Sequence, residues 1–189
     1  GSTTTHPIDE HEMGQDFFAM VDFAHTPNAL AKALDSARGL LMDHDPDRPD
    51  ARIIAIFGSA GLRDREKRRM MPAVAAKKAD IMILTAEDPR TESLDDILGQ
   101  MAEEAEASGG KLNETYYVEP DRGNAIRLGV RLARAGDLVV ALGKGHEQSM
   151  CFERTEYPWD ERVAMRAALA ERMGVPGPAM PYLPTSVGR

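Results

Sequence analysis

The stretch Asp137-Leu138-Val139-Val140-Ala141-Leu142, followed by Gly143-Lys144-Gly145-His146-Glu147, decides how this chain folds. An unbroken apolar run between an aspartate and a glycine reads as a strand buried on both faces, the kind that a helix-covered parallel sheet contains. At its carboxyl end, two glycines, a cation, an imidazole and a carboxylate share one turn. Ligands of open α/β sheets bind outside the carboxyl ends of the strands, and glycine lets backbone approach them closely. Such a turn suits a zwitterion or a phosphate. An ordinary strand-to-helix turn with solvated charges accounts for these five residues taken alone, but it does not account for the recurrence of the pattern.

Three more polar turns follow strand-like runs. Val21-Asp22-Phe23-Ala24-His25-Thr26-Pro27-Asn28 follows Phe17 to Val21, and Gly58-Ser59-Ala60-Gly61-Leu62-Arg63-Asp64 follows Ile53 to Phe57. Glu87-Asp88-Pro89-Arg90-Thr91-Glu92 follows Ile81 to Thr85. Helical periodicity fills the gaps. Ala29, Leu30, Ala33, Leu34, Ala37, Leu40 and Leu41 recur at helical spacing after Pro27, and helices are expected over 65–78 and 94–107. Asp121 is placed to cap a helix reaching Arg134, after a short strand at 116–118. Residues 149–157 read as a hairpin, and Pro158-Trp159-Asp160 opens a last helix to Met173, with Trp159 as its aromatic anchor. Alternating strands and helices imply parallel strands joined by right-handed crossovers. The expected fold is a Rossmann-like, mostly parallel open sheet of about five or six strands flanked by helices, with a C-terminal hairpin and the polar turns on one rim.

At 189 residues the chain fits one domain, expected over 15–174, and its 42% hydrophobic content supports a globular core. No apolar run approaches the roughly 20 residues of a membrane span, so a soluble, non-inserted protein is expected. A net charge of −8 argues against general nucleic-acid binding, which needs Lys and Arg to neutralise phosphates. The single cysteine, Cys151, offers neither a disulfide nor a zinc pattern, so a buried, inert thiol in a reducing compartment is expected, with no metal site. The polar start lacks an apolar signal region, and Gly1-Ser2 resembles a cloning remnant, so residues 1–14 are expected to be that remnant and a linker. Pro176, Pro178, Pro181 and Pro184 exclude a continuing helix from Val175, and an extended or disordered tail is expected over 175–189.

The ordered set VDFAHTP, G-x-x-G-x-RD with a basic tail, (D/E)xPRTE and GKGHE resembles the C-terminal domain of Mur ligases, most closely the MurE type. The likeness runs from about Gln15 to about Met173. It implies an ATP-dependent amide ligase of peptidoglycan biosynthesis in the cytoplasm, which joins a diamino acid to UDP-MurNAc-L-Ala-D-Glu. ATP and Mg2+ would then be held mainly by a central ATPase domain of the same polypeptide. The turn at Gly58 to Gly61 has no following Lys-Ser/Thr and is not a Walker motif, so this stretch alone is expected to be inactive, with no catalytic residue of its own.

The resemblance places amino-acid contacts on Arg63, Asp88, Arg90, Gly143 and Glu147, and nucleotide contacts on Asp22, His25 and Asn28. A guanidinium binds carboxylate through two parallel hydrogen bonds, and Glu147 can accept from an ammonium. Lys144 and His146 face phosphate or simply hold their turn. Two departures from the family pattern bear on specificity. Asp88 stands where diaminopimelate-adding members usually carry Asn, and Ser-Ala-Gly-Leu-Arg-Asp replaces the usual Gly-Gly-Asp-Arg-Asp. Ionised Asp accepts hydrogen bonds but cannot donate, which favours a distal ammonium, while Arg90 favours a distal carboxylate. Lysine, ornithine and diaminopimelate all remain open. The rival expectations are a folylpolyglutamate- or cyanophycin-synthetase type of ligase, which GKGHE and PRTE fit poorly, and a non-catalytic domain that binds amino acids or nucleotides.

Overall fold

The computed structural model describes residues 15–186, so the expected remnant and linker at 1–14 lie outside the described residues. Strand β1 (Phe18–Asp22) leads through a short turn into helix α1 (Pro27–His44). Then come β2 (Ile53–Phe57), α2 (Lys67–Lys78), β3 (Ile81–Leu84), α3 (Leu94–Ala107), β4 (Tyr116–Val118), α4 (Arg122–Leu132) and β5 (Leu138–Leu142). A hairpin of β6 (Ser149–Phe152) and β7 (Thr155–Pro158) precedes the last helix, α5 (Glu161–Met173).

The first five strands form one sheet in the order β1-β5-β2-β3-β4, every neighbouring pair parallel. The hairpin forms a separate two-stranded sheet. Because side chains alternate along a strand, β2 serves two cores. Ile54 and Ile56 join Ile83, Val139, Ile126 and Met165 on the α4–α5 side. Ile53, Ala55 and Phe57 join Met82, Leu84, Val140, Leu34 and Met101 on the side of α1, α2 and α3. All five residues of β2 and of β5 are buried, as a sheet covered on both faces requires. Each such aliphatic side chain contributes about 1.5 to 3 kcal/mol of burial.

Three local differences from the sequence reading have physical causes. In α1 the buried stripe is Leu30, Leu34, Ala37 and Leu41, while Leu40, one position off that stripe, is 46% exposed. Helix α2 begins at Lys67 rather than Arg65, because the Asp64 carboxylate takes the Glu66 N–H at 2.9 Å and holds a turn there. Helix α4 ends at Leu132, with Ala133 already extended.

The tail is extended, but it is packed. Leu183 is fully buried, Met180 lies against Gly123, and the Thr185 and Ser186 hydroxyls donate to Asp121 Oδ1 at 2.7 and 2.9 Å. The prolines that forbid helix leave the segment free to run over the α4 side of the molecule.

Candidate functional site

Parallel pairing with Asp22 opposite Leu142, Ile56 opposite Ala141 and Phe57 opposite Leu84 brings the carboxyl ends of β1, β5, β2 and β3 to one edge. The four polar turns therefore meet, and each is bonded to a neighbour. The Gly143 N–H donates to Asp22 O at 3.0 Å, joining the first turn to the last. The Gly61 N–H donates to Asp88 O at 2.9 Å, and Arg90 Nη1 donates to Gly61 O at 2.9 Å, joining the second turn to the third. Lys144 Nζ lies 3.1 Å from both Asp88 oxygens and 2.7 Å from Glu147 Oε2, joining the third to the last.

Two glycines in the last turn are obligatory. Gly143 has φ 115°, and a Cβ there would lie 2.6 Å from Glu87 Oε2. Gly145 has φ 52°, and a Cβ there would lie 2.8 Å from the Phe23 Cβ. Any larger residue would push this turn off its two neighbours. Leu62, Asp88 and Arg90 also have positive φ, at 56°, 39° and 54°. A left-handed conformation costs a non-glycine residue on the order of 1 kcal/mol, and such strain gathers where surrounding structure over-determines a site.

Arg90 is half-buried, and its side chain makes one hydrogen bond among the described residues, the one to Gly61. Its backbone is clamped by the hairpin: Arg90 N–H donates to Cys151 O at 3.2 Å, and Glu153 N–H donates to Arg90 O at 2.8 Å. Glu147 is 41% exposed beside its Lys144 partner, and Arg63 is exposed. Asp22 Oδ1 accepts the Ala24 N–H, Thr26 caps α1 through Ala29, and Asn28 is exposed in the first helical turn. The rings of His25 and His146 lie 4.7 and 5.4 Å from that of Phe23, which is itself 40% exposed. The first and last turns thus share an aromatic ledge.

Two candidate residues already have partners on the rim. Lys144 is 1% exposed and ion-paired with Asp88 and Glu147, contacts that brace the turn. The Asp88 carboxylate is already occupied, since Oδ1 also accepts the Cys151 N–H at 2.8 Å. It fastens the third turn to the last and to the hairpin. Burial pushes the Cys151 thiol pKa up, which keeps it a poor nucleophile.

Glu87 and Arg122 were missed as site residues. Glu87 is 8% exposed, and burial pushes its carboxyl up to about 7 against the opposing pull of Arg122 and Lys144. Its signal was an acid opening the polar turn shortly after a buried strand. Arg122 is fully buried at the first position of α4, where a cation opposes the helix dipole. That mismatch is the trace a sequence reader can find. The role of Glu92 was also hidden: it accepts the Leu62 N–H at 3.0 Å and grips the buried Arg68 through both oxygens. Those bonds hold its carboxyl down to about 2.

A five-stranded parallel sheet with four interlocked polar turns on its carboxyl rim, covered by helices on both faces, defines an open α/β domain. Comparison with known proteins narrows that class. The profile of the Mur ligase glutamate ligase domain matches residues 9–145, and this chain belongs to the Mur ligase family as that C-terminal domain. It is 44% identical over 160 residues to a UDP-N-acetylmuramyl-tripeptide synthetase of Roseiflexus sp., covering 85% of this chain and 30% of the relative. It is 35% identical over 161 residues to a UDP-N-acetylmuramoyl-L-alanyl-D-glutamate–2,6-diaminopimelate ligase of Fusobacterium nucleatum, covering 85% and 31%. A solved structure of a ligase with that second name superposes with a TM-score of 0.74 at 31% identity, over 91% of this chain and 32% of that one. The chain thus spans about 30% of the length of the relatives it matches.

Proposed function

We propose that this domain is the amino-acid-reading lid of an ATP-dependent ligase that joins a diamino acid to UDP-MurNAc-L-Ala-D-Glu in the cytoplasm. The observation that carries the reading is the joining of the four turns on one rim, in a chain whose relatives bear tripeptide-synthetase names. In such a reaction a substrate carboxylate attacks the γ-phosphate of ATP and releases ADP. The amine of the incoming amino acid then attacks the acyl phosphate, forming the amide and releasing inorganic phosphate. The residues described here bind and orient. Arg90 and Arg63 hold carboxylate, with the fork of Arg90 aimed by its bond to Gly61 and by the hairpin. Glu147 accepts from an ammonium, and Gly143, whose missing side chain leaves room for Glu87, shapes the turn that presents it. Asp22, His25 and Asn28 face nucleotide across a cleft shared with the central domain, and the ledge formed by Phe23 and His146 extends that surface.

Among the described residues, no three His, Cys, Asp or Glu side chains gather where they could hold a metal. On this reading ATP and Mg2+ are held mainly by the central domain, and this domain carries no Walker loop. The stretch 1–189 alone is therefore expected to form no amide and hydrolyse no ATP. The whole protein, given ATP, Mg2+, UDP-MurNAc-L-Ala-D-Glu and lysine, ornithine or diaminopimelate in turn, is expected to release ADP and yield a tripeptide product by mass spectrometry with one of the three. No product with any diamino acid, or turnover by the isolated stretch, would overturn the reading.

A further inference from the structure

Arg122 lies beneath the rim rather than on it. Arg122 and Glu161 are the first residues of α4 and α5, and both side chains are 0% exposed. The Arg122 Nε donates to both Glu161 oxygens at 3.0 Å, and Nη2 donates to Oε1 at 2.7 Å. Trp159 Nε1 donates to the other oxygen at 2.5 Å, so the carboxylate is held from two sides. The outer edge of the guanidinium reaches two backbone carbonyls, with Nη1 donating to Ala86 O at 2.9 Å and Nη2 donating to Leu142 O at 2.8 Å.

Those two carbonyls belong to the residues immediately before Glu87–Arg90 and before Gly143–Glu147. Strands β3 and β5 are not neighbours, because β2 lies between them and ends at Phe57. β2 pairs with both strands and so sets their spacing as far as Leu84 and Ala141, but beyond Phe57 no strand runs between the third turn and the last. Arg122 spans that gap from the interior, and the Lys144–Asp88 pair spans it nearer the surface. A purely structural plug would not need this chemistry, since a well-packed apolar pair avoids the desolvation cost of a buried ion pair. A flat guanidinium supplies what an apolar pair lacks, two donors at a set spacing. The start of α4 is itself braced, because Asp121 accepts the Asn124 N–H and the Thr185 and Ser186 hydroxyls.

We propose that Arg122, held by Glu161, is a positioning residue that sets the spacing of the two amino-acid-reading turns, and so the separation of Arg90 from Glu147. This rests on the functional reading above, although the geometric part can be tested without it. The experiment uses the whole ligase carrying Arg122→Met with Glu161→Gln, which removes both buried charges and leaves Trp159 an acceptor, and separately Arg122→Lys, which keeps the charge but loses the fork.

The expected result for the double variant is a cooperative melt above assay temperature and a KM for the amino acid raised roughly 10- to 100-fold. KM for ATP should stay within about two-fold, and Arg122→Lys should fall between the double variant and the wild type. A crystal structure of the double variant should show the Lys144–Asp88 contact lengthened beyond hydrogen-bond range. A folded double variant with unchanged amino-acid KM, or KM values for ATP and amino acid raised in parallel, would overturn the proposal. So would loss of folding in both variants, which would make Arg122 a folding element only. If the wild-type ligase accepts no amino acid, the functional reading fails, and the crystallographic contact still decides whether Arg122 spaces the turns.

Discussion

Asp88 and Arg90 stand two residues apart, and the structure gives them different work. Arg90 keeps one guanidinium edge on Gly61, and under the proposed reading its other edge clamps a carboxylate. Arg90→Ala should cost about 2 to 4 kcal/mol of transition-state binding, a loss of roughly 30- to 1,000-fold in kcat/KM for the amino acid with KM for ATP little changed. Steady-state kinetics of the whole ligase checks this. From sequence alone, Asp88→Asn is expected to favour diaminopimelate by removing a negative charge. The occupied carboxylate changes that expectation, because Asn would strip Lys144 of one of its two partners and loosen the turn. KM should then rise for lysine and diaminopimelate alike, and a selective gain for diaminopimelate would return Asp88 to the ligand surface. Glu87 carries a pH signature. Its folded pKa, about 7, lies above the ordinary value of 4.5, so its stabilising share is full below pH 4.5 and is lost as pH rises through 7. Glu87→Gln should flatten this fall. Between pH 5 and pH 8 the wild type should lose on the order of 3 kcal/mol more than the variant, measured by urea denaturation at both values.

Helix α2 and the third turn are coupled through one ion pair. The Arg68 side chain is fully buried on α2, and Glu92, 17% exposed, grips it while also holding the Leu62 N–H. Removing the acid strands a buried cation, so Glu92→Ala should destabilise the fold by about 3 kcal/mol at neutral pH and free the loop that carries Arg63. The sign with pH follows from its depressed pKa, about 2 against an ordinary 4.5. The Glu92 contribution is present above pH 4.5 and is lost as pH falls through 2, so wild type and variant should converge in acid melts. The hairpin β6–β7 has an equally specific task. Outside the main sheet, it accepts the Arg90 N–H through Cys151 O, and its Cys151 N–H binds Asp88. A two-stranded hairpin is only marginally stable alone, and here it is held by the turn it orders.

At the scale of the whole molecule, the tail closes the α4–α5 core. Leu183 is fully buried, so Leu183→Ala should cost about 2 to 4 kcal/mol, read as a lower denaturation midpoint at unchanged slope. If the tail were loose, the midpoint would not move. Chain order and composition by themselves determined the α/β alternation, most of the stripe on α1, the cap at Asp121, the opening of the last helix at Asp160, and the four polar turns after strands. Those features are local: helical period, apolar run length and capping chemistry act over a few residues, and parallel crossovers leave little choice of which strand ends share an edge. What the tertiary structure decided was the pairing of charged and polar groups distant in sequence. Lys144 meets Asp88, Arg122 meets Glu161, Arg68 meets Glu92 and Thr185 meets Asp121 only after β2 has been inserted between β3 and β5 and the helices have docked. A buried charge takes whichever partner packing brings within about 3 Å. No spacing along the chain encodes that choice, so the contacts of Asp88 with Lys144 and the Cys151 N–H were not legible in the sequence.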